Sequence, residues 1–485
     1  MPSGSDFLSL DPAAASVRGL TSWLTTAVAS AIADGSLQPG ASLPSTRILA
    51  RDLGISRGVV TEAYQRLTDA GLIGGKPGAG TRVLVRAGPP GTRTAGPAMT
   101  GPTGVPARRD DEPVPGHVPA VVPLGWRGSA EIDLSPGVPD LAGFPRTAWS
   151  RAERAVLSTA SAAELGYGDP RGAPALRSAL AGWLARTRGV RAEPDDIIVV
   201  SGVAQALALL AQRLHGAAIA VEDPGSRGTR DELAYWGLTP VPVPTDDQGI
   251  RDVPSGIRAV AITPAHQFPT GVVLSPSRRR ALLDWASAAD GLIIEDDYDA
   301  EYRYDRAPVP ALQGSAPGRV AYAGSVSKTL APGMRIGWLI PPRSLHADLV
   351  RAKHFSDLGC PVLPQLVLAR LLADGALERH IRQVRSRLRE RRDTLLDALR
   401  DFLPGARVAG VAAGLHLLVT FPSAAFDDTE AAARVLRSGV LIQPLSLHRY
   451  RPGPPGFVLG YAACTPDRLR EGARRIAEAL LVPVG

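Results

Sequence analysis

Apolar residues change their spacing twice along this 485-residue chain. Up to residue 86 they recur every three or four positions in short stretches broken by glycine. From 87 to 125 they show no period. From 126 onward, apolar runs of four to six residues alternate with helical patterns. These regimes predict a small helical domain at 1–86, a linker at 87–125 and a large domain at 126–485.

In the first region, Thr21 to Leu37 carries apolar residues at helical spacing. Pro44 and Ser45 open a second helix with Leu49, Ala50 and Leu53 inward. Gly54 breaks it. Ser56 caps a third, whose buried stripe is Val59, Val60, Ala63, Tyr64 and Leu67, and Gly71 ends it. Two helices joined by a glycine-containing turn make a helix-turn-helix. The following "LIGGKPGAGTRVLV" alternates around a Gly-Lys-Pro-Gly tip, which predicts a β-wing. In such a motif the second helix enters the major groove by its start. Ser56 and Arg57 stand there, with Thr61 and Gln65 one and two turns further along the same face. Arg47 begins the preceding helix, within reach of phosphate. Lys76 and Gly78 lie at the wing tip, where a cation and a bare backbone suit the minor groove.

The middle region is dense in proline and glycine, a linker composition. As a flexible coil it would span about 35 Å on average, and so long a structureless stretch does not belong inside one domain.

Beyond it, "DDIIVVSG", "AAIAVEDPG", "IRAVAITPA", "GLIIEDDYD" and "RVAYAGSVSK" read as short buried strands alternating with helices. That order predicts an α/β fold with a mostly parallel sheet, whose functional groups gather at the carboxyl ends of the strands. The residues there are Ser201-Gly202, Glu222-Asp223-Pro224, His266-Gln267, Asp296-Asp297-Tyr298 and Ser325 to Lys328.

Composition narrows the classes. With 45% apolar and 21% charged residues the chain has an ordinary folded composition. Its start lacks the charged and apolar regions of a signal peptide, and no apolar run approaches the ~18 residues of a membrane span. Two cysteines, Cys360 and Cys464, fit a reducing compartment. A cytoplasmic protein is expected. The net charge of +7 permits a polyanion partner. The first 86 residues carry 8 basic against 6 acidic side chains, so DNA binding rests on the ordered pattern rather than on charge.

Lysine is rare: Lys76, Lys328 and Lys353 stand against 51 arginines. Arginine stays protonated, whereas a neutral lysine amine can attack a carbonyl carbon and form a Schiff base. Lys328 sits in "SVSKTLAPGMRIG", just past the end of an expected strand.

Two resemblances follow from these residues. "LPSTRILARDLGISRGVVTEAYQRLTDAGLI" resembles the winged helix of the GntR group of bacterial regulators. Lys328 with Asp296 and Tyr298 resembles the fold-type I aminotransferases, which use pyridoxal 5′-phosphate (PLP). That likeness implies an amine at Lys328 for the cofactor aldehyde and a carboxylate at Asp296 for the pyridine nitrogen. It gives the Tyr298 hydroxyl to the phenolic oxygen, and a phosphate cradle to Ser325, Ser327, Arg335 and the backbone of Val203 and Ala204. Tyr167, in "GYGDPRGAPALR", matches a tyrosine that reaches the partner subunit's phosphate. Both halves in this order, with "EDDYDAEYRY" and "TPAHQFPTG", are similar to the MocR/GabR family of transcription regulators. The family implies a domain-swapped, head-to-tail homodimer and direct DNA repeats as targets.

Three positions depart from working aminotransferases. Phe268 stands where an asparagine would meet the phenolic oxygen, Ser226 where an aromatic ring would stack on the pyridine, and about Val458 where an arginine would clamp a substrate carboxylate. The expected protein is therefore a regulator without steady turnover. It senses PLP, as in control of vitamin B6 synthesis, or an amine or amino-acid effector. No residue is assigned to catalysis or to a metal. The alternatives are an active aminotransferase with a DNA-binding appendage, and a regulator whose large domain is only a dimerisation scaffold.

Overall fold

Leu24, Val28 and Ile32 on one helix close over Leu49, Val60, Ala63 and Leu67 on two others, and this helix-spaced apolar set is the core of the N-terminal unit. In the computed structural model, the described residues are 20–33, 36–38, 40–69, 72–76, 80–83, 130–304, 309–422 and 426–481. The chain divides into two compact units, Met1–Val114 and Pro115–Gly485. The segment expected as a linker, 87–125, lies outside the described residues, as do Gly71 and Gly78.

The first helix, Leu20–Ala33, stops short of the expected Leu37. The Leu37 amide instead turns back to the Ala31 carbonyl at 2.7 Å, and its side chain is buried by that reversal. The second helix, Thr46–Asp52, is capped by Ser45, whose Oγ accepts from the Ile48 amide at 3.4 Å. The third, Arg57–Asp69, begins beside Ser56, whose Oγ accepts from the Val59 amide at 3.4 Å. Tyr64 ties the two together by donating to the Pro44 carbonyl at 3.0 Å. Strands β1 (Ser42–Leu43), β2 (Ile73–Lys76) and β3 (Gly80–Val83) form an antiparallel sheet in the order β1-β3-β2, so the wing gains one strand from the segment before the second helix.

In the second unit the short β4 (Ile132–Asp133) precedes the main-sheet strands. These are β5 (Ile198–Val200), β6 (Ala218–Asp223), β7 (Thr239–Asp246), β8 (Gly249–Ile250), β9 (Ala259–Ile262), β10 (Leu292–Asp297), β11 (Val320–Ser325) and β12 (Gly337–Ile340). Their order is β5-β12-β11-β10-β9-β6-β7-β8. The strands from β11 to β7 run parallel, while β12 is antiparallel to both neighbours and β8 to β7. Every residue of β5, β9, β11 and β12 is buried, which accounts for their unbroken apolar runs. Parallel alignment brings the carboxyl ends of β6, β9, β10 and β11 to one edge.

A smaller sheet holds β13 (Arg407–Ala409), β14 (His416–Thr420), β16 (Gln443–Pro444) and β17 (Gly456–Gly460) in the order β13-β14-β17-β16. Between β14 and β16 in the chain, β15 (Val440–Leu441) pairs in parallel with β4. Residues 132–133 are thereby tied to the carboxyl-terminal part of the chain.

Candidate cofactor cavity and DNA-facing helix

At the carboxyl edge of the large sheet lies a cavity of about 950 Å³. Lys328, Asp296, Tyr298, Ser325, Ser327, Arg335, Val203 and Ala204 all line it. Tyr167 does not; it stands 95% exposed on a loop.

Asp296 reaches the cavity because β10 is parallel to its neighbours and ends there. Its Oδ1 is buried with no hydrogen-bond partner among the described residues. Burial pushes its carboxyl up to about 7, Asp297 adds to the rise, and Lys328 opposes it. Lys328 follows β11, and its Nζ donates to the Gly137 carbonyl at 2.6 Å. Gly137 has φ +81°, and a Cβ there would sit 3.2 Å from that Nζ. A cradle forms where the helix Val203–Arg213 begins at Gly202, leaving its first amides without helical acceptors. Gly202 has φ +115°, and a Cβ on it would lie 3.3 Å from the Arg335 guanidinium. Arg335 itself takes the left-handed conformation, φ +50°, after the tight turn Pro332–Met334.

Tyr298 extends the same strand end. Its hydroxyl is 3.0 Å from His266 Nδ1, which is 2.9 Å from Asp299 Oδ2. The Phe268 ring lies with its centroid 6.4 Å from Tyr298 and 5.0 Å from both His416 and His448. Burial first, then the charge of His266, holds His416 well below the usual histidine range; burial takes His448 to about 4. Glu222, raised to about 7 by burial, accepts from the Thr263 amide at 3.2 Å and the Thr263 hydroxyl at 2.7 Å. Ser226 caps the helix Arg227–Tyr235, its Oγ accepting from the Thr229 amide at 3.2 Å. Val458 is fully buried against Leu418, Leu445 and Phe268. Arg449 and Arg451, in the loop before the strand of Val458 and the nearest arginines to it in sequence, do not line the cavity.

In the N-terminal unit, Arg57 opens the third helix, and Thr61 and Gln65 follow at one-turn intervals. All three are exposed, as are Ser56 and Arg47. The Thr61 hydroxyl donates to the Arg57 carbonyl at 2.9 Å. Lys76 ends β2, and Gly78 lies outside the described residues.

Several residues at the cavity escape a sequence reading. Gly137 comes from a loop 191 positions away from Lys328. Asp299 was visible only as one acid among many, and His266 only as a strand-end residue.

A parallel-sheet domain with a lysine, a buried carboxylate and a helix-start cradle in one cavity, carried by a chain with a winged helix-turn-helix, defines a class: a DNA-binding regulator built on an aminotransferase-like fold. Comparison with known proteins agrees. The family described as aminotransferase class I and II matches residues 130–476, and the family of bacterial regulatory proteins, gntR family, matches residues 24–83. The chain is 34% identical to the HTH-type pyridoxine biosynthesis transcriptional regulator PdxR of Corynebacterium glutamicum, over 94% of this chain and 95% of that protein. It is 33% identical to the probable rhizopine catabolism regulatory protein MocR of Rhizobium meliloti, over 92% and 91%. Among solved structures, the kynurenine aminotransferase of Pyrococcus horikoshii superposes with a TM-score of 0.68 at 29% identity, covering 73% of this chain and 92% of that one. The chain belongs to the MocR-type family of transcription regulators, GntR-type helix-turn-helix proteins with an aminotransferase class I and II domain. Its cofactor is PLP.

The cavity suits that cofactor. The unpartnered Asp296 oxygen offers an acceptor for a ring N–H, which would end its isolation. The space that a Cβ at Gly202 would fill stays open beside Arg335 and the helix start, as a phosphate requires. Among the described residues no helix is long and apolar enough to cross a membrane.

Proposed function

We propose that the protein reports the level of PLP to its helix-turn-helix, and that the process it controls is vitamin B6 synthesis. Its identity to a pyridoxine biosynthesis regulator over nearly the whole chain supports the second part. The observation that carries the first is the pairing, in one cavity, of the Lys328 amine with a buried Asp296 oxygen that lacks a partner. When bound, PLP supplies an aldehyde for an amine and a pyridinium ring that withdraws electrons. Lys328 is the amine that joins it, Asp296 holds the ring proton, and Tyr298 faces the phenolic oxygen. Ser325, Ser327, Arg335 and the amides of Val203 and Ala204 hold the phosphate.

In this reading 1–86 binds DNA through Arg47, Ser56, Arg57, Thr61, Gln65, Lys76 and Gly78, 87–125 is the linker, and 126–485 is the sensor. The exposed Tyr167 completes the partner's phosphate site in a domain-swapped, cytoplasmic homodimer. PLP alters DNA affinity only if it binds two arrangements of the domains unequally. Steady turnover is not expected, because Val458, at the position where an aminotransferase would carry its carboxylate-clamping arginine, lies in an apolar cluster.

The absorption spectrum of the purified protein with PLP, beside Lys328→Ala, tests the site. A visible band in the wild type alone supports it, and PLP-dependent operator binding supports the sensor. The kinetic counterpart is an active aminotransferase, favoured by the likeness to a kynurenine aminotransferase. Sustained conversion of amino donors and keto acids would establish that reading instead.

A further inference from the structure

We infer that His266, held by Asp299, is a positioning residue for the cofactor: it faces the Tyr298 oxygen with an N–H and so turns the hydroxyl proton of Tyr298 into the cavity, toward the phenolic oxygen of PLP. The inference rests on the proposal that Lys328 and Asp296 hold PLP.

Among the described residues, the Tyr298 hydroxyl has one hydrogen-bond partner, His266 Nδ1 at 3.0 Å. That nitrogen also lies 2.9 Å from Asp299 Oδ2. An imidazole nitrogen bears either a hydrogen or a lone pair, so the two contacts together decide which. A lone pair on Nδ1 would accept from Tyr298 but would face a carboxylate oxygen that has nothing to donate. It would also force the ring's hydrogen onto Nε2, which is buried with no partner among the described residues. Backbone closes that side, for a Cβ on Gly271 would sit 3.1 Å from Nε2. A hydrogen on Nδ1 satisfies Asp299 and requires none at Nε2. His266 and Asp299 are each 1% exposed, so bulk water offers neither an alternative. Gly414, with φ +85°, leaves room for the pair: a Cβ there would lie 2.5 Å from Nδ1 and 2.7 Å from Oδ2. Nδ1 therefore carries the hydrogen.

Tyr298 then finds no lone pair on Nδ1 to donate to. Its oxygen accepts from that nitrogen, and its proton turns away, into the cavity that Tyr298 lines. Neighbouring groups are otherwise engaged. His416, whose ring packs 5.2 Å from His266, has Nε2 3.2 Å from the Pro269 carbonyl, which only an N–H can serve. Glu222 accepts from Thr263, and His448 Nε2 lies 3.0 Å from Gln443 Oε1. Lys328 and Asp296 line the same cavity and belong to the cofactor. Phe268, where an asparagine would give a second donor, stands at 81° to Tyr298 and has none. The phenolic oxygen thus depends on the one proton that His266 turns toward it.

Asp299→Ala removes the acceptor that keeps hydrogen on Nδ1. That hydrogen is then free to move to Nε2, and Tyr298 to donate to Nδ1. PLP should therefore bind the full-length protein roughly threefold to tenfold more weakly, the worth of one hydrogen bond. The visible band should also titrate at higher pH, since a phenolic oxygen with a weaker donor keeps more charge and holds a neighbouring proton longer. His266→Leu, which removes the N–H and its polarising effect on the hydroxyl, should act in the same direction. His266→Asn, whose amide can place an N–H near the Nδ1 position, should restore most of the affinity. In a Tyr298→Phe background these differences should vanish, a coupling that a merely structural role would not produce. PLP is titrated by equilibrium dialysis and by the band, with melting curves to verify folding. The two His266 variants decide the question if Asp299→Ala does not fold. Unchanged or tighter binding in Asp299→Ala or His266→Leu, an unshifted band, or effects that persist without the Tyr298 hydroxyl overturn the inference while leaving the cofactor site standing. Absence of the band even in the wild type removes the cofactor proposal and this inference with it.

Discussion

Arg188 and Asp297 form a two-pronged buried ion pair, Nε to Oδ2 at 2.6 Å and Nη2 to Oδ1 at 3.1 Å, with side chains 2% and 3% exposed. Tyr322 also donates to Asp297, and Arg188 reaches the Val309 carbonyl. The pair fixes the end of β10 beside Asp296. Arg188→Leu should cost about 3–5 kcal/mol, because it leaves an uncompensated charge under the cavity. Chemical denaturation measures this directly, and a loss below about 1 kcal/mol would show that the pair is not structural.

Asp296 sets a pH dependence of known sign. Burial raises its carboxyl from 3.8 to about 7. The folded chain thus keeps a proton that the unfolded chain releases near pH 4. Stability from this group is fully present below that point and falls as pH rises toward 7. Asp296→Asn has no proton to lose. Without PLP it should melt higher than the wild type above pH 7, with the gap closing near pH 4. It should nevertheless bind PLP more weakly, since an amide has no charge to hold the ring proton.

Lys353 supports the cradle from outside the cavity. It is 0% exposed, and its Nζ lies 2.6 Å from both Asp357 oxygens. Gln205 donates to Asp357 at 2.7 Å and accepts from the Ser201 amide at 2.9 Å, next to Gly202. Lys353→Met should cost about 1–3 kcal/mol and should also weaken PLP binding. A stability loss with unchanged PLP affinity would confine its role to packing.

Arg57 and Arg47 should separate on DNA. Arg57→Ala should cost about 1–3 kcal/mol on the operator and relax its base preference. Arg47→Ala should weaken all sequences alike and lower the salt slope by about 0.9. Both side chains are exposed, so melting temperature should stay unchanged. Equal effects on specific and random DNA would remove Arg57 from base reading. Fluorescence anisotropy at several salt concentrations reports both quantities.

Much of the architecture was legible in the chain because the signals are local. Leu49 and Ala50, then Val60, Ala63, Tyr64 and Leu67, are buried at the helical spacing that announced them. The strand ends of β10 and β11 carry Asp296 and Lys328 because a parallel sheet brings such ends to one edge. The antiparallel entry of β12 between β5 and β11 was not legible, since a fully buried strand looks apolar whichever way it runs.

By itself, then, the sequence determined the helix-turn-helix, the alternation of strands and helices, and the residue types that a PLP site demands. Those depend on period and on neighbours within a few positions. Only the tertiary structure decided what each reactive group touches. It gave Lys328 the Gly137 carbonyl, Asp297 the Arg188 guanidinium 109 positions away, and Tyr298 the pair of His266 and Asp299. It also explained the lysine at 353, which a count of lysines could not. A buried charge needs a partner wherever folding brings one, and the separation of those partners along the chain leaves no periodic trace.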